Sequence, residues 1–566
     1  MFRPKQSQTN LAVESIIIPC RNGVSFGGET QIVFDIPRNV NFASLKDARL
    51  LATVQLDTNA AAGLLNPAYI PDKDAGVACM IDRINIRSNG VLLEELRDYW
   101  LWAKLYNSAS SDEGILNKRT RLEGCMKTNR IQDSPYHIQA RPNVNGVANV
   151  DPIRTVAVRV EIPLLGGIFQ KDTVFPLGAM PLEVEIITRK ADECFTLCDS
   201  GTSITGPGAT AGGGVTSFQV AGGEALVWGP LGGANERSSD PNCNQGSCCP
   251  LRVGQQVRFT AAAGNANLTP AAIAGTLTIV NITTVAGGGF VVNVSGAIDL
   301  AGAAAAPVMH SLAANGALLN ARLPSYTLTA PRLIIPKIVP PPQFASAMMQ
   351  AVVKGQFALD VVSYTNYNTA IPGAVSTSTN IIPADLSRVR SIISVPVDRV
   401  GPGSGGVTSL NPLSRICKMG GHLGASNYQF QINNALQPSR SVQLGREAFG
   451  GPADAALYYN SKAVPYAYGL GSCLDGPHGY ELEKALDSAN IPVRNITFIT
   501  KPAALNGCWA VGRTLGPYNT STNLMGISSI LYLNYDGTNQ NLKLLHNYVS
   551  HIRTYALSPE GVTVQY

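Results

Sequence analysis

The stretch Phe42–Asp57, FASLKDARLLATVQLD, has a counterpart at Pro383–Asp398, PADLSRVRSIISVPVD, and the two align without a gap. Ala43 falls on Ala384, Leu45 on Leu386, Arg49 on Arg390, Val54 on Val395 and Asp57 on Asp398. Between these anchors Leu51 meets Ile392, Thr53 meets Ser394 and Leu56 meets Val397, so the apolar and polar faces of a strand stay in place. The offset is 384 − 43 = 341 residues. Any two strands look somewhat alike, because both alternate. The spacing is the stronger constraint: it predicts two halves built on one plan, and an internal repeat governs the fold of the whole chain.

Each half reads as a series of half-buried strands. In the first, Thr30–Ile36 alternates, with Ile32, Phe34 and Ile36 on one face. Ala48–Asp57 follows. Ile81–Leu96 then carries Asn89-Gly90 between apolar runs, which predicts a tight hairpin. Arg97–Asn107 places Tyr99, Trp102 and Tyr106 at helical spacing, a packed amphipathic helix and not an aromatic ligand box. Thr155–Leu164 directs Val156, Val158, Val160 and Ile162 inward, and Leu182–Thr188 directs Leu182, Val184 and Ile186 inward with Glu183 and Glu185 outward. One polar face per strand marks antiparallel sheets packed on one side, as in a β-sandwich or jelly roll.

From Cys194 to about Leu319 the chain turns rich in Gly, Ala, Ser and Thr but keeps strand-like runs, such as Gln255–Thr260 and Thr276–Val285. This predicts a small β-domain inserted into a loop of the first half, where exposed tips tolerate insertion. Tyr326–Val339 returns to the first sandwich, Pro340-Pro341-Pro342 breaks the strand, and Phe344–Val353 reads as a short linking helix. The second half repeats the scheme with strands at Gln356–Tyr364, the stretch ending at Asp398, Asn427–Asn433, Asn495–Thr500, Ile527–Tyr535, Asn541–Leu545 and Gly561–Tyr566. Tyr480–Leu486 reads as a short helix, and Asp536-Gly537 as a second hairpin turn. Residues 1–14 read as an arm.

Composition narrows the class. The 566 residues suffice for about three to four domains. Hydrophobic residues make up 45%, enough for large cores, while charged residues make up only 14%, against about 25% in ordinary soluble domains. So few charges suit a subunit whose surface is largely covered by partners. The net charge of +5 is spread without a basic tract, which does not support a dedicated nucleic-acid-binding domain. The polar start MFRPKQSQTNLAVES has no apolar core of a secretory signal, and no run approaches the ~18 apolar residues of a membrane span, so the chain is expected to be made inside the cell.

A search for chemistry returns no catalytic, cofactor-binding or metal residue set. His137, His310, His422, His478, His546 and His551 form no HExxH or HxH pattern, and no Walker A, GxSxG or dinucleotide fingerprint occurs. Gly287-Gly288-Gly289 lies between strands and reads as a turn. The pairs Glu94-Glu95 and Glu481/Glu483 read as solvated charges. Cys194, Cys198, Cys243, Cys248 and Cys249 leave three readings open: free thiols, disulfides formed after cell exit, and a zinc site. Zinc is least favoured, because no His accompanies the group.

The run DRINIRSNGVLLEELRDYW (Asp82–Trp100) resembles the strand–Asn-Gly–Glu–aromatic-helix segment of double jelly-roll major capsid proteins, above all those of Polinton-like viruses and virophages. FDIPRNVNFASLKDARLLATVQLD, VEIPLLGGIFQ (Val160–Gln170) and YQFQINNALQPSRSVQLG (Tyr428–Gly445) extend the resemblance in the same order, over residues 15–190 and 323–566. It implies an all-β chain of two tandem eight-stranded antiparallel jelly rolls, a vertical double jelly roll with a β-rich insertion in the first. The expected divisions are an arm (1–14), a first jelly roll (15–198 plus 323–343), an insert (199–322) forming an outer tower, and a second jelly roll (344–566). The implied function is that of a hexon-like homotrimer with pseudo-hexameric outline. It would tile an icosahedral virion shell around double-stranded DNA, without enzymatic activity or cofactor. Implied partners are further copies of the chain, neighbouring capsomers, and penton and minor capsid proteins, with the insert as a surface for host contact and no sequence-specific nucleic acid. The insert itself matches no family segment. Two rival classes are a minor or vertex capsid protein and a lectin-like surface-binding β-protein. A cupin-type enzyme would need a His/Glu metal cluster that the sequence does not display.

Overall fold

The computed structural model of the protein describes residues 12–58, 68–71, 75–110, 122–125, 138–139, 141–142, 157–197, 202–205, 214–220, 256–260, 277–284, 290–299, 308–311, 325–373, 375–398, 425–443, 476–494, 510–516, 520–535, 543–558 and 561–565. In the first half the main strands are β1 (Ala12–Pro19), β2 (Gln31–Ile36), β3 (Arg49–Thr58), β4 (Ile81–Ser88), β5 (Val91–Arg97), β6 (Ala157–Pro163) and β7 (Leu182–Thr188). Six further strands, β8 (Thr202–Thr205), β9 (Gly214–Val220), β10 (Gln256–Thr260), β11 (Leu277–Thr284), β12 (Phe290–Asp299) and β13 (Val308–Ser311), close into a barrel. The chain then returns through β14 (Ser325–Val339). The second half consists of β15 (Phe357–Ile371), β16 (Thr377–Ile382), β17 (Val389–Asp398), β18 (Ala425–Ile432), β19 (Ala435–Gln443), β20 (Val511–Thr514), β21 (Ser529–Tyr535), β22 (Lys543–Ser558) and β23 (Gly561–Gln565). Four helices matter below: α1 (Tyr99–Ser110), α2 (Ala191–Cys194), α3 (Pro342–Val353) and α4 (Gly476–Ser488).

Strand pairing defines the architecture. In the first half β1 pairs β14, β14 pairs β3 and β3 pairs β6, while β2 pairs β7, β7 pairs β4 and β4 pairs β5. In the second half β15 pairs β22, β22 pairs β17 and β17 pairs β20, while β16 pairs β21, β21 pairs β18 and β18 pairs β19. Numbered by rank within each half, both sandwiches have the sheet orders 1-8-3-6 and 2-7-4-5. That is the double Greek key of a jelly roll. The barrel enters between the seventh and eighth strands of the first.

The repeat seen in the sequence is the third strand of each jelly roll. Leu50 stands opposite Leu333, and Ser391, which aligns with Leu50, stands opposite Ser550. Burial repeats too: Ala43 and Ala384, Leu45 and Leu386, and Val54 and Val395 are all in the core. The alternation is read out as expected in Ile32, Phe34 and Ile36, in Val160 and Ile162, and in Leu182, Val184 and Ile186. Asn89-Gly90 has both residues at positive φ, 48° and 83°, and so does Asn433-Asn434, at 50° and 62°. Both turns join the fourth and fifth strands of their sandwich, with the conformation that two-residue hairpins favour.

Several expectations need correction. The arm ends sooner than residue 14, because Ala12, Val13 and Glu14 already pair with Val339, Ile338 and Lys337. Asp536-Gly537 does not join a hairpin: β21 and β22, on either side of it, lie in different sheets. The strand expected over Asn541–Leu545 is the beginning of a 16-residue strand. Glu185 is on the outer face as expected, yet it is only 6% exposed, held by Gln31 Nε2 at 2.5 Å and Asn85 Nδ2 at 3.2 Å. The strand expected at Asn495–Thr500 lies outside the described residues.

Candidate functional site: the seam between the two sandwiches

A cluster of buried polar groups lies where the first jelly roll meets the edge strand of the second. The hairpin strand β5 presents Leu93 and Glu94, both fully buried. Glu94 Oε1 accepts from the Tyr555 hydroxyl at 2.7 Å, and Oε2 accepts from the Ile168 backbone N–H at 3.0 Å. Burial drives the Glu94 carboxyl above its ordinary value; the Arg553 charge and the Ile168 and Tyr555 hydrogen bonds only partly offset this. This corrects the expectation of a solvated Glu94-Glu95 pair. Only Glu95 fits it in part, bridging Arg83 at 3.0 Å and Arg97 at 2.9 Å.

The Gly166-Gly167 turn after β6 makes room for this carboxylate. Gly167 has φ 54°, and a Cβ there would strike the Glu94 carboxylate. Gly166 has φ 92°, and its Cβ would fall 3.0 Å from the Tyr364 ring and 3.2 Å from Trp102 Nε1. Any side chain at either position would be strained and would collide with the seam.

On the opposite wall Arg553 donates through Nε to His551 Nε2 at 2.9 Å and through Nη1 to the Leu93 carbonyl at 2.8 Å. Since His551 Nε2 accepts, the ring proton of the neutral imidazole is on Nδ1, which lies 3.2 Å from the Val549 carbonyl. Burial, with the adjacent Arg553 charge, pushes the His551 pKa down to about 3.

Aromatic packing completes the seam. Trp102 of α1 stacks on Tyr364 with centroids 4.2 Å apart, and Tyr548 packs against both. Trp100 meets the His546 ring edge-on at 5.8 Å and carries the Arg189 guanidinium 4.3 Å above its own ring. Asp98, just ahead of α1, accepts from Asn366 Nδ2 at 2.6 Å, lies 3.8 Å from His546 Nδ1, and offers its carbonyl to the Tyr548 hydroxyl at 2.9 Å. Burial pushes the Asp98 carboxyl up, but His546 and the amides of Asn366 and Asn368 outweigh it and hold its pKa below the ordinary value. These groups interlock through ring packing and the Asp98 hydrogen bonds. The arrangement is that of a permanent internal interface.

The remaining candidates are dispersed. Cys194 is a buried thiol at the end of α2; its Sγ donates to the Cys79 carbonyl at 3.3 Å, and Cys79 Sγ donates to the Cys194 carbonyl at 3.2 Å. Cys79 is therefore a neighbour of Cys194 that local spacing could not reveal. Cys198, Cys243, Cys248 and Cys249 lie outside the described residues, as do His137 and His422. His310 is in barrel strand β13. His478, at the start of α4, is buried with Nε2 2.6 Å from the Ala510 carbonyl, and burial lowers its pKa to about 4. Glu481 pairs with Arg513 at 2.5 Å. Among the described residues no group of three His, Cys, Asp or Glu side chains is placed to hold a metal ion. A cleft of about 770 Å³ opens between the sandwiches, lined among others by Lys46, Arg49, Glu161, Gln170, Asp487 and Asn490. Both signs of charge line it.

No protein-family model matches the chain, and no curated protein matches it. Solved structures do. The Sputnik virophage structure determined by cryo-electron microscopy matches with 9% identity and a TM-score of 0.48, covering 100% of this chain and 90% of that chain. The Faustovirus major capsid protein matches with 10% identity and a TM-score of 0.47, covering 99% and 92%. A chain of the PBCV-1 virus capsid matches with 11% identity and a TM-score of 0.45, covering 100% and 99%. By its own strand order this chain is a double jelly roll.

Proposed function

We propose that the chain is a major capsid protein whose homotrimer forms a pseudo-hexameric tile of an icosahedral shell around double-stranded DNA. The observation that carries this reading is the repetition of one sheet order in two jelly rolls, joined by a buried seam into one unit. Three such chains present six similar sandwiches, a near-hexagonal outline from a single gene product, and cyclic symmetry closes the ring without a growing edge. The low charge content suits a subunit with large permanent interfaces. The role is structural, within the virion, with the chain assembled in the infected cell. Neighbouring capsomers and penton and minor proteins are the further partners.

The domain divisions follow the same reading, with the first boundary moved to the start of β1: a first jelly roll over 12–198 plus 323–343, an insert over 199–322 and a second jelly roll over 344–566. The barrel of the insert is too bulky for tile-to-tile seams, so it is assigned to the outer face as a tower. Cys194 is assigned as a thiol engaged with Cys79, not as a zinc ligand. Light scattering of the purified protein followed by negative-stain imaging tests the whole reading. Trimers with a hexagonal outline are expected; monomers or pentamers would overturn it. A shell reconstruction placing residues 199–322 against the genome would overturn the tower.

A further inference from the structure

We propose that Cys79 and Cys194 are an oxidation site: the two thiols join as a disulfide once the chain leaves a reducing compartment and meets a peroxide. The bond ties the root of the inserted barrel to the first sandwich. Both cysteines belong to the first half of one chain, so the bond forms whether or not the chain assembles into a tile.

The pair is 115 positions apart in sequence and is brought together by the sheet. Cys79 lies in a short turn of helix, Val77–Met80, that leads into β4, and Cys194 closes α2, which follows β7. β4 and β7 are neighbours, and their contact continues past the strands. Thr188 stands opposite Ile81, and the Arg189 N–H donates to the Met80 carbonyl at 2.8 Å. Arg189 Nη1 then donates to the carbonyls of Cys79 at 3.2 Å and Glu193 at 3.3 Å. The two backbones are thus held side by side where the cysteines stand. Each Sγ lies against the other residue's carbonyl, at 3.3 and 3.2 Å, and both side chains are fully buried. Thiols placed in this way can be turned toward one another about Cα–Cβ, the movement that disulfide geometry asks for when the backbones already adjoin.

Position gives the bond its consequence. Directly after Cys194 the strand Phe195–Leu197 leads toward the barrel, whose first strand begins at Thr202. On the return, Tyr326 of β14 meets the Phe195 ring edge-on at 5.8 Å and donates its hydroxyl to the Arg189 carbonyl at 2.5 Å. The chain entering the barrel and the chain leaving it therefore meet beside the cysteines. A disulfide here closes a long loop, the kind of cross-link that most restricts an unfolded chain.

Burial pushes the Cys194 thiol well above its ordinary value, the Cys79 thiol adds to this and the Arg189 charge opposes it. Thiolate is the reactive form, so oxidation is slow and the pair persists as thiols during synthesis. With hydrogen peroxide, one thiolate attacks an oxygen: an S–O bond forms, the O–O bond breaks, and the departing hydroxide takes up the thiol's proton as water. The second sulfur then attacks the sulfenic sulfur: S–S forms, S–O breaks and a second water leaves. Two thiols are oxidised and one peroxide is reduced to two waters.

The test uses the full-length protein, purified reduced, treated with hydrogen peroxide, alkylated in denaturant and mapped by mass spectrometry. A cross-linked peptide pair joining Cys79 to Cys194 is expected, two hydrogens lighter than the separate peptides. The thermal midpoint should rise on oxidation and return on reduction, and Cys194→Ser should show neither the cross-link nor the shift. Cys79 and Cys194 still open to alkylation after peroxide, or sulfinic acid at either without a cross-link, would overturn the pairing, and wild type alone gives that answer. A Cys79 cross-link that persists in Cys194→Ser would overturn it too, and a cross-link that leaves the midpoint unchanged would overturn the tie.

Discussion

At the scale of residues, the seam depends on a few groups whose environments are extreme. Gly167 combines a left-handed backbone with no room for a Cβ against Glu94. Gly167→Ala is therefore expected to lower the thermal midpoint sharply, followed by circular dichroism; an unchanged midpoint would contradict the packing described. Glu94→Ala removes the acceptor of the Tyr555 hydroxyl and of the Ile168 N–H in a closed site, and should cost about 1–3 kcal/mol for each, read as a fall in the thermal midpoint. His551 and His478 are held neutral, with pKa values about 3 and about 4 against 6.5 in the unfolded chain. A depressed histidine pKa contributes stability that is present above pH 6.5 and lost as pH falls toward the folded value, because only the unfolded chain takes up the proton. Each adds a slope of about 1.4 kcal/mol per pH unit in that window. Glu94 acts in the opposite sense, its raised pKa giving stability that is lost as pH rises. The difference between wild type and His551→Gln isolates the histidine. The variant's midpoint should fall less steeply between pH 6.5 and 4, and parallel curves would rule the assignment out. None of these roles was legible in the sequence. Glu94 looks like half of a solvated pair because nothing local announces that a second domain covers it.

At the scale of elements, legibility followed burial on one face. β2, β4 and β7 alternate because one side meets a core and the other meets polar partners, so period two is visible. Both type I′ turns were visible in part: Asn89-Gly90 directly, Asn433-Asn434 only within a longer resembling run. At Asn434, φ of 62° favours glycine. Asn434→Gly should leave the midpoint unchanged or slightly raised, while Asn434→Val should lower stability by about 1–2 kcal/mol, measured by thermal denaturation. β22 was read only at its first residues, because it is enclosed on both faces. Its interior carries His546, Asn547, Ser550, His551 and Arg553 in polar contacts, which erase the alternation. β19 escaped because Pro438 argues against a central strand, and β19 is in fact an edge strand. β20, with four residues, is too short to carry a period.

At the scale of the whole molecule, the barrel stands between the seventh and eighth strands of one sandwich without supplying a strand to either sheet. Replacing residues 202–311 with a short Gly/Ser linker should preserve the thermal midpoint of the double jelly roll and its trimeric state, read by differential scanning calorimetry and mass photometry. Loss of folding would show that the barrel belongs to the scaffold. Cys79 and Cys194 remain in that variant, so their mutual thiol–carbonyl bonds are kept. The sequence by itself determined that there are two similar halves, where most of the strands lie, which side of most of them faces a core, and that a strand-bearing stretch of different composition interrupts the first half. These follow from local physics: the two-residue period, turn chemistry, proline breaks and shifts in composition. Only the tertiary structure decided which strands pair, that β21 and β22 part into different sheets, and that the edge of the second sandwich is covered by Glu94, Trp100 and Trp102 of the first. Those outcomes depend on contacts between residues up to 461 positions apart, such as Glu94 with Tyr555, and no local pattern encodes a partner at that distance.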